Sequence, residues 1–174
     1  RVFEGQLPTG KVQFSVVFEN LEETDTPIVI TQSEYMRRMK DMSQMGGGMN
    51  FYGELPDSYN LVVNQNHPQV IKICDDLNAS SGKQLAESES EIKRVKEEVE
   101  FTEAEHKKKK PEELSQIEKD DLEKLRNELE GLEKKRKELL KNFGKENKIV
   151  RQMIDLALLA NNMLRGEELS SFVK

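Results

Sequence analysis

The sequence predicts an α+β fold, on three observations. Its first third carries short alternating apolar stretches of strand type. Residues 83–145 are dominated by Glu and Lys, with leucines at heptad spacing, as an antiparallel helical hairpin requires. Residues 146–174 carry a nearly unbroken apolar helix and the start of another. The expected architecture is a small three-stranded sheet packed with helices over 11–82, the charged hairpin as an insertion over 83–145, and closing helices over 146–174. Residues 1–10, with Gly5, Pro8 and Gly10, read as a linker from an upstream domain.

Each strand has its own signature. From Lys11 to Glu19, Val12, Phe14, Val16 and Phe18 alternate with Gln13 and Ser15, the pattern of a half-buried strand. After a polar turn from Glu22 to Thr26, Pro27-Ile28-Val29-Ile30 reads as a second strand. Pro27 stands at its start, where a missing N–H matters least. Asn60 to Asn64 reads as a third strand, with Leu61 and Val63 on one face.

Between the second and third strands, Thr31-Gln32-Ser33-Glu34 fits a capping box, with Thr31 as N-cap and Ile30 and Tyr35 as a hydrophobic staple. The helix it opens carries Met36, Met39, Met42 and Met45, and Met49 follows. These are five of the chain's seven methionines. Methionine is flexible and polarizable, and it is over-used on surfaces that bind many apolar partners. Arg37, Arg38, Lys40 and Asp41 leave a narrow apolar side, and Gly46-Gly47-Gly48 gives the helix a loose end. A methionine stripe at helical spacing also suits a core, so both readings stand at this point.

Asn66-His67-Pro68 opens the next helix, whose apolar face is expected to be Val70, Ile71, Cys74 and Leu77. Cys74 is therefore expected to be a small buried residue rather than a reactive thiol. Composition shifts at Ser80-Ser81-Gly82. In the hairpin's second arm, Leu122, Leu125, Leu129, Leu132, Leu139 and Phe143 form a seam broken by Arg136. The first arm has a weaker seam of Leu85, Ile92, Val95 and Val99, joined by Ser88, Thr102 and His106. Lys107 to Pro111 separates the arms, with Pro111 in the first turn of the second. The lysines there read as a solvated tip.

The closing helix runs through Ile149, Val150, Met153, Ile154, Leu156, Ala157, Leu158, Leu159 and Ala160. Met163 and Leu164 follow, with Gly166 as the expected C-cap, and Leu169, Phe172 and Val173 begin a last short helix. A helix apolar on more than one face needs more than one packing partner. The α+β unit covers one side, and a second copy of the chain is the economical cover for the other.

Composition narrows the class. Hydrophobic residues are 35% of the chain and charged ones 34%, so part of it must be a solvated helical element. The formal charge of −6 argues against a nucleic-acid partner. A single cysteine excludes an internal disulfide and points to a reducing compartment, the cytoplasm. No apolar run approaches the roughly 18–20 residues of a membrane span. The chain opens on Arg1 without a signal peptide and reads as an excised C-terminal or internal fragment. No catalytic constellation is visible. His67 and His106 stand apart, and there is no Walker pattern and no G-x-G-x-x-G. Carboxylates alternate with lysines as on a solvated helix face. The chain itself is expected to be neither an enzyme nor a holder of a metal or cofactor.

The order of these pieces resembles the C-terminal dimerisation domain of the heat-shock protein 90 chaperones, most closely their bacterial, HtpG-type branch. Asp25-Thr26-Pro27 with the strand after it is similar to the way that domain begins. Thr31-Gln32-Ser33-Glu34-Tyr35-Met36 with Met39 resembles T-x-S-E-M-x-x-x-M, and Leu61 to Pro68 resembles L-x-x-N-x-x-H-P. Ile154 to Ala160, with Leu169 and Phe172 beyond, resembles L-x-D-x-A-L-L-A…L…F. The resemblance covers about 20–80 and 147–173.

The resemblance implies a homodimer joined by the closing helices in a four-helix bundle, with Ile149, Met153, Ile154, Leu156, Ala157, Leu158, Leu159, Met163, Leu164, Leu169, Phe172 and Val173 at the interface. It implies that Met36 and Met39, with Met42, Met45, Met49, Phe51 and Tyr52 in the looser part that follows, touch unfolded client proteins. Other chaperones are further implied partners. ATP and Mg belong to an N-terminal domain of that family. Residues 83–145 depart from the pattern expected of a typical bacterial member. A coiled-coil adaptor, whose charged hairpin binds a protein partner, is the alternative reading.

Overall fold

The computed structural model describes residues 1–8, 10, 12–45, 57–109 and 114–164; the side chains of 40 and 43–45 lie outside that description. It is an α+β protein. Strands Val12–Glu19 (β1), Ile28–Gln32 (β2) and Asp57–Asn64 (β3) form one sheet in the order β1-β3-β2. β3 runs parallel to β1 and antiparallel to β2. Helices follow at Glu34–Met45 (α1), Pro68–Lys108 (α2), Gln116–Glu146 (α3) and Lys148–Ala160 (α4).

Register explains the apolar alternation. Val16 pairs with Leu61, which pairs with Ile30; Phe18 pairs with Val63, which pairs with Ile28. Side chains alternate faces along a strand, so these rows share one face. Leu61 and Val63 are wholly buried there, with Ile28 and Ile30 beside them. The opposite face carries one apolar row, Val17–Val62–Val29, beside the polar row Ser15–Asn60–Thr31.

The molecule divides into two compact units. One draws on Arg1–Asp76 and the chain from Lys141 onward; the other is Leu77–Leu140. In the first, the inner sheet face meets Val70 and Ile73 of α2 and Val150, Met153, Ile154, Ala157 and Leu158 of α4. The α4 residues recur at i, i+3, i+4, i+7 and i+8, so one stripe of the helix carries its buried contacts. Phe3 and Leu7, which flank the 3-10 turn Glu4–Gln6, enter the same core. The segment read as a linker thus packs as part of this unit, and Phe3 meets Phe18 edge-on at 6.5 Å between ring centres.

In the second unit, α2 and α3 pair as an antiparallel hairpin. Ion pairs join Glu89 to Arg136, Arg94 to Glu128, Glu103 to Arg126 and Lys109 to Glu118. Partners fall along α3 as they rise along α2. Val95 and Val99 are buried. Leu85, Ile92, Leu122, Leu125, Leu129 and Leu132 are half-buried, as a two-helix seam allows.

The turn residues after β3 have structural work. Asn64, wholly buried, accepts hydrogen bonds from the amides of Leu21 (3.2 Å) and Asn66 (3.1 Å), and its Nδ2 donates to the Glu22 carbonyl at 2.7 Å. It therefore fastens the polar turn to the end of β3. His67 Nδ1 accepts from the Gln69 amide at 3.2 Å, and the His67 carbonyl from Val70 at 2.9 Å. With Pro68 in the first turn, where its absent N–H has no helical partner to lose, this is a complete helix start.

Four local expectations are corrected. Thr31 does not cap α1: it lies in β2, paired with Asn60, and the helix begins at Glu34, with the Ser33 carbonyl accepting from Arg37. Tyr35 is exposed, so it makes no staple with buried Ile30. α3 begins at Gln116, because Ser115 and Glu118 form a capping box: Ser115 Oγ accepts from the Glu118 amide, and Glu118 accepts from the Ser115 amide; Pro111, read as the first turn of this arm, lies outside the described residues. α4 ends at Ala160 rather than near Gly166, which lies outside the described residues. Asn162, at φ 56°, takes the left-handed position, and Met163 and Asn162 donate to the carbonyls of Leu158 and Leu159 in a Schellman closure.

Candidate functional site

The methionine helix is the first candidate. Glu34 anchors its start, accepting from Arg37 Nη2 at 3.2 Å and Arg38 Nε at 3.0 Å. The Arg37 bond, then the Arg38 bond, hold the Glu34 carboxyl below the usual range. None of the described α1 side chains is buried. Met36 is half-buried, whereas Met39 is 37% and Met42 70% exposed. A step of three residues turns about 300° on a helix, so a three-residue repeat drifts around the axis. That drift turns Met36 inward while Met39 and Met42 face out.

Tyr35, 68% exposed, stands four and seven residues before Met39 and Met42 and completes their stripe. A staple role hides Tyr35 in the sequence, although its i, i+4, i+7 spacing with Met39 and Met42 is the signal for this stripe. Met45 closes α1 with its side chain outside the description, and Met49, Phe51 and Tyr52 lie outside the described residues.

The closing helix is the second candidate. Met153, Ile154, Ala157, Leu158 and Leu164 lie in the core of their own unit, and Ile149 and Met163 pack against it. Leu156, at 55%, and Leu159, at 37%, are exposed. Three residues apart, they form an apolar outer edge on α4 opposite its buried stripe. Leu169, Phe172 and Val173 lie outside the described residues.

Cys74 is exposed, not buried. α2 turns Val70 and Ile73 inward, and this leaves Ile71 and Cys74 on its outer side. Several carboxylates of the hairpin are engaged in surface ion pairs, among them Glu103–Arg126 at 2.7 Å. Among the described residues no group of three or more His, Cys, Asp and Glu is placed to hold a metal ion, and no helix is long and apolar enough to cross a membrane.

Known proteins similar to the chain fall in one group. The chaperone protein HtpG of Bacteroides thetaiotaomicron is 41% identical over 173 residues, 99% of this chain and 25% of that protein. HtpG of Bacteroides fragilis gives the same figures, and HtpG of Porphyromonas gingivalis is 41% identical over 175 residues, 100% of this chain and 26% of that protein. The chain spans about a quarter of the length of these curated relatives. The match runs through 83–145, so the charged hairpin is part of the shared segment. No family model and no solved structure matches. Identity at this level along the whole chain shows that the chain belongs to the HtpG chaperone family, as a counterpart of its C-terminal quarter.

Proposed function

We propose that the chain is the homodimerisation and client-contact segment of an ATP-dependent chaperone of the heat-shock protein 90 family, acting in the cytoplasm. The exposed stripe of Tyr35, Met39 and Met42 carries this reading. Such an exposed stripe offers adaptable apolar contact to unfolded chains, and the half-buried Met36 supports it from the inner side. Met45, Met49, Phe51 and Tyr52 extend the proposed contact region, and other chaperones are further candidate partners. ATP and Mg act elsewhere in the longer protein. Two copies of the stripe, joined in one dimer, hold one client more firmly than either alone.

For the dimer, Leu156 and Leu159 are the direct contacts. Ile149, Met153, Ile154, Ala157, Leu158, Met163 and Leu164 act mainly by shaping the helix, and Leu169, Phe172 and Val173 add to the bundle. Leu156→Asp with Leu159→Asp should give monomers by analytical ultracentrifugation, while deletion of 83–140, within the second unit, leaves a dimer. A dimer lost on the deletion but indifferent to the two substitutions favours the alternative, an adaptor that pairs through its hairpin.

A further inference from the structure

We infer that residues 1–8 form a latch that controls how firmly α4 is held. The inference rests on α4 as the pairing helix and adds a regulator of that helix. Phe3 and Leu7 are buried in the core that also holds Val150, Ile154 and Leu158 of α4. Between them the chain crosses the last turns of α3. Gln6 Nε2 donates to the Lys141 carbonyl at 2.9 Å, and a Cβ at Gly5 would stand 2.6 Å from Lys141 Cγ.

Gly144 is the seat. It is buried within α3, where glycine is poor helix material, and a Cβ there would overlap the Val2 carbonyl oxygen and stand 2.9 Å from Gln6 Nε2. One turn on, the Asn147 amide donates to the Phe143 carbonyl at 2.9 Å, and its side chain caps α4 through the amides of Ile149 and Val150. The strap therefore lies on the elbow from which α4 departs.

Its described anchors include the buried Phe3 and Leu7, the half-buried Val2 and the Gln6 hydrogen bond, with no ladder of backbone bonds to a neighbouring strand among the described contacts. Such a segment opens at lower free energy than the sheet behind it. Lifting it opens the core that Phe3 and Leu7 share with α4 and leaves the paired rows of β1, β3 and β2 intact. Any pull or competing contact on the strap is then felt at α4, and so at Leu156 and Leu159.

Hydrogen exchange on the whole chain tests this. Gly144→Ala should raise exchange of the strap and of α4 by about tenfold or more and leave β3 and the Val95–Val99 stretch of α2 unchanged. Leu7→Ser, which leaves the sequence of α3 unaltered, should do the same. Gly131→Ala, where a Cβ meets open space, should change none of these. A freely exchanging strap over a fully protected α4 overturns the latch, as does a rise shared equally by α4 and β3. Ultracentrifugation of Leu156→Asp with Leu159→Asp judges the pairing role separately, since those exposed side chains lie outside the core that holds Phe3 and Leu7.

Discussion

Replacing Asn64 with alanine should cost more than its size suggests. The side chain is wholly buried and makes three hydrogen bonds, to Leu21 at 3.2 Å, Asn66 at 3.1 Å and Glu22 at 2.7 Å. Each such bond contributes about 0.5–1.5 kcal/mol net, and backbone groups left without a partner add to the loss. The expected destabilisation of Asn64→Ala is therefore about 3 kcal/mol. For a chain of this size that lowers Tm by roughly 6–12 °C. Asn66→Ala is the comparison. Its exposed side chain makes one bond, to the Leu21 carbonyl at 2.8 Å, and its loss should cost under about 1 kcal/mol. Urea unfolding followed by circular dichroism, read as a shift of midpoint at constant slope, measures both. An Asn64→Ala variant within about 0.5 kcal/mol of the parent, or equal to Asn66→Ala, refutes the view that Asn64 fastens the turn.

Two other outcomes follow from the hairpin and α2. The side-chain bond from Lys109, with the amide and hydroxyl of Ser115, holds the Glu118 carboxyl at about 2, against an ordinary 4.5. A depressed folded value means that Glu118 supports the start of α3 fully above about 4.5 and loses that support as pH falls toward about 2. NMR titration should place the Glu118 midpoint near 2, and a midpoint near 4.5 would contradict the capping box. Cys74 should react with an aromatic disulfide reagent in the native chain without added urea; reaction only after urea is added would put it back in a core.

Much of the fold could be read in the sequence because its signals were periodic. Period-two alternation gave β1 and the inner face of β3, and the i, i+3, i+4 stripe gave α4. Choices between two adequate local solutions could not be read. Thr31 and Ser33 both suit a helix start, and cross-strand pairing with Asn60 decided against Thr31. On α2, apolar residues at 70, 71, 73, 74 and 77 allow two overlapping stripes. Packing against the sheet selected Val70 and Ile73 and left Cys74 outside. At the methionine helix the three-residue repeat was plain, but its drift around the axis decides exposure, and that depends on where Met36 packs. Gly144 gave no signal of its own; only the strap laid across it shows why a glycine stands in that turn.

The central claim is that the exposed side of α1 grips unfolded protein. Fluorescence anisotropy of a labelled, permanently unfolded protein, titrated with the parent chain and with the Met39→Ser, Met42→Ser double variant, tests it most directly. These side chains are 37% and 70% exposed, so the double variant should fold with stability within about 1 kcal/mol of the parent. Its Kd should rise about tenfold, the loss of roughly 1.4 kcal/mol of apolar contact. An unchanged Kd together with a large fall in Tm would instead make those methionines part of the chain's own core.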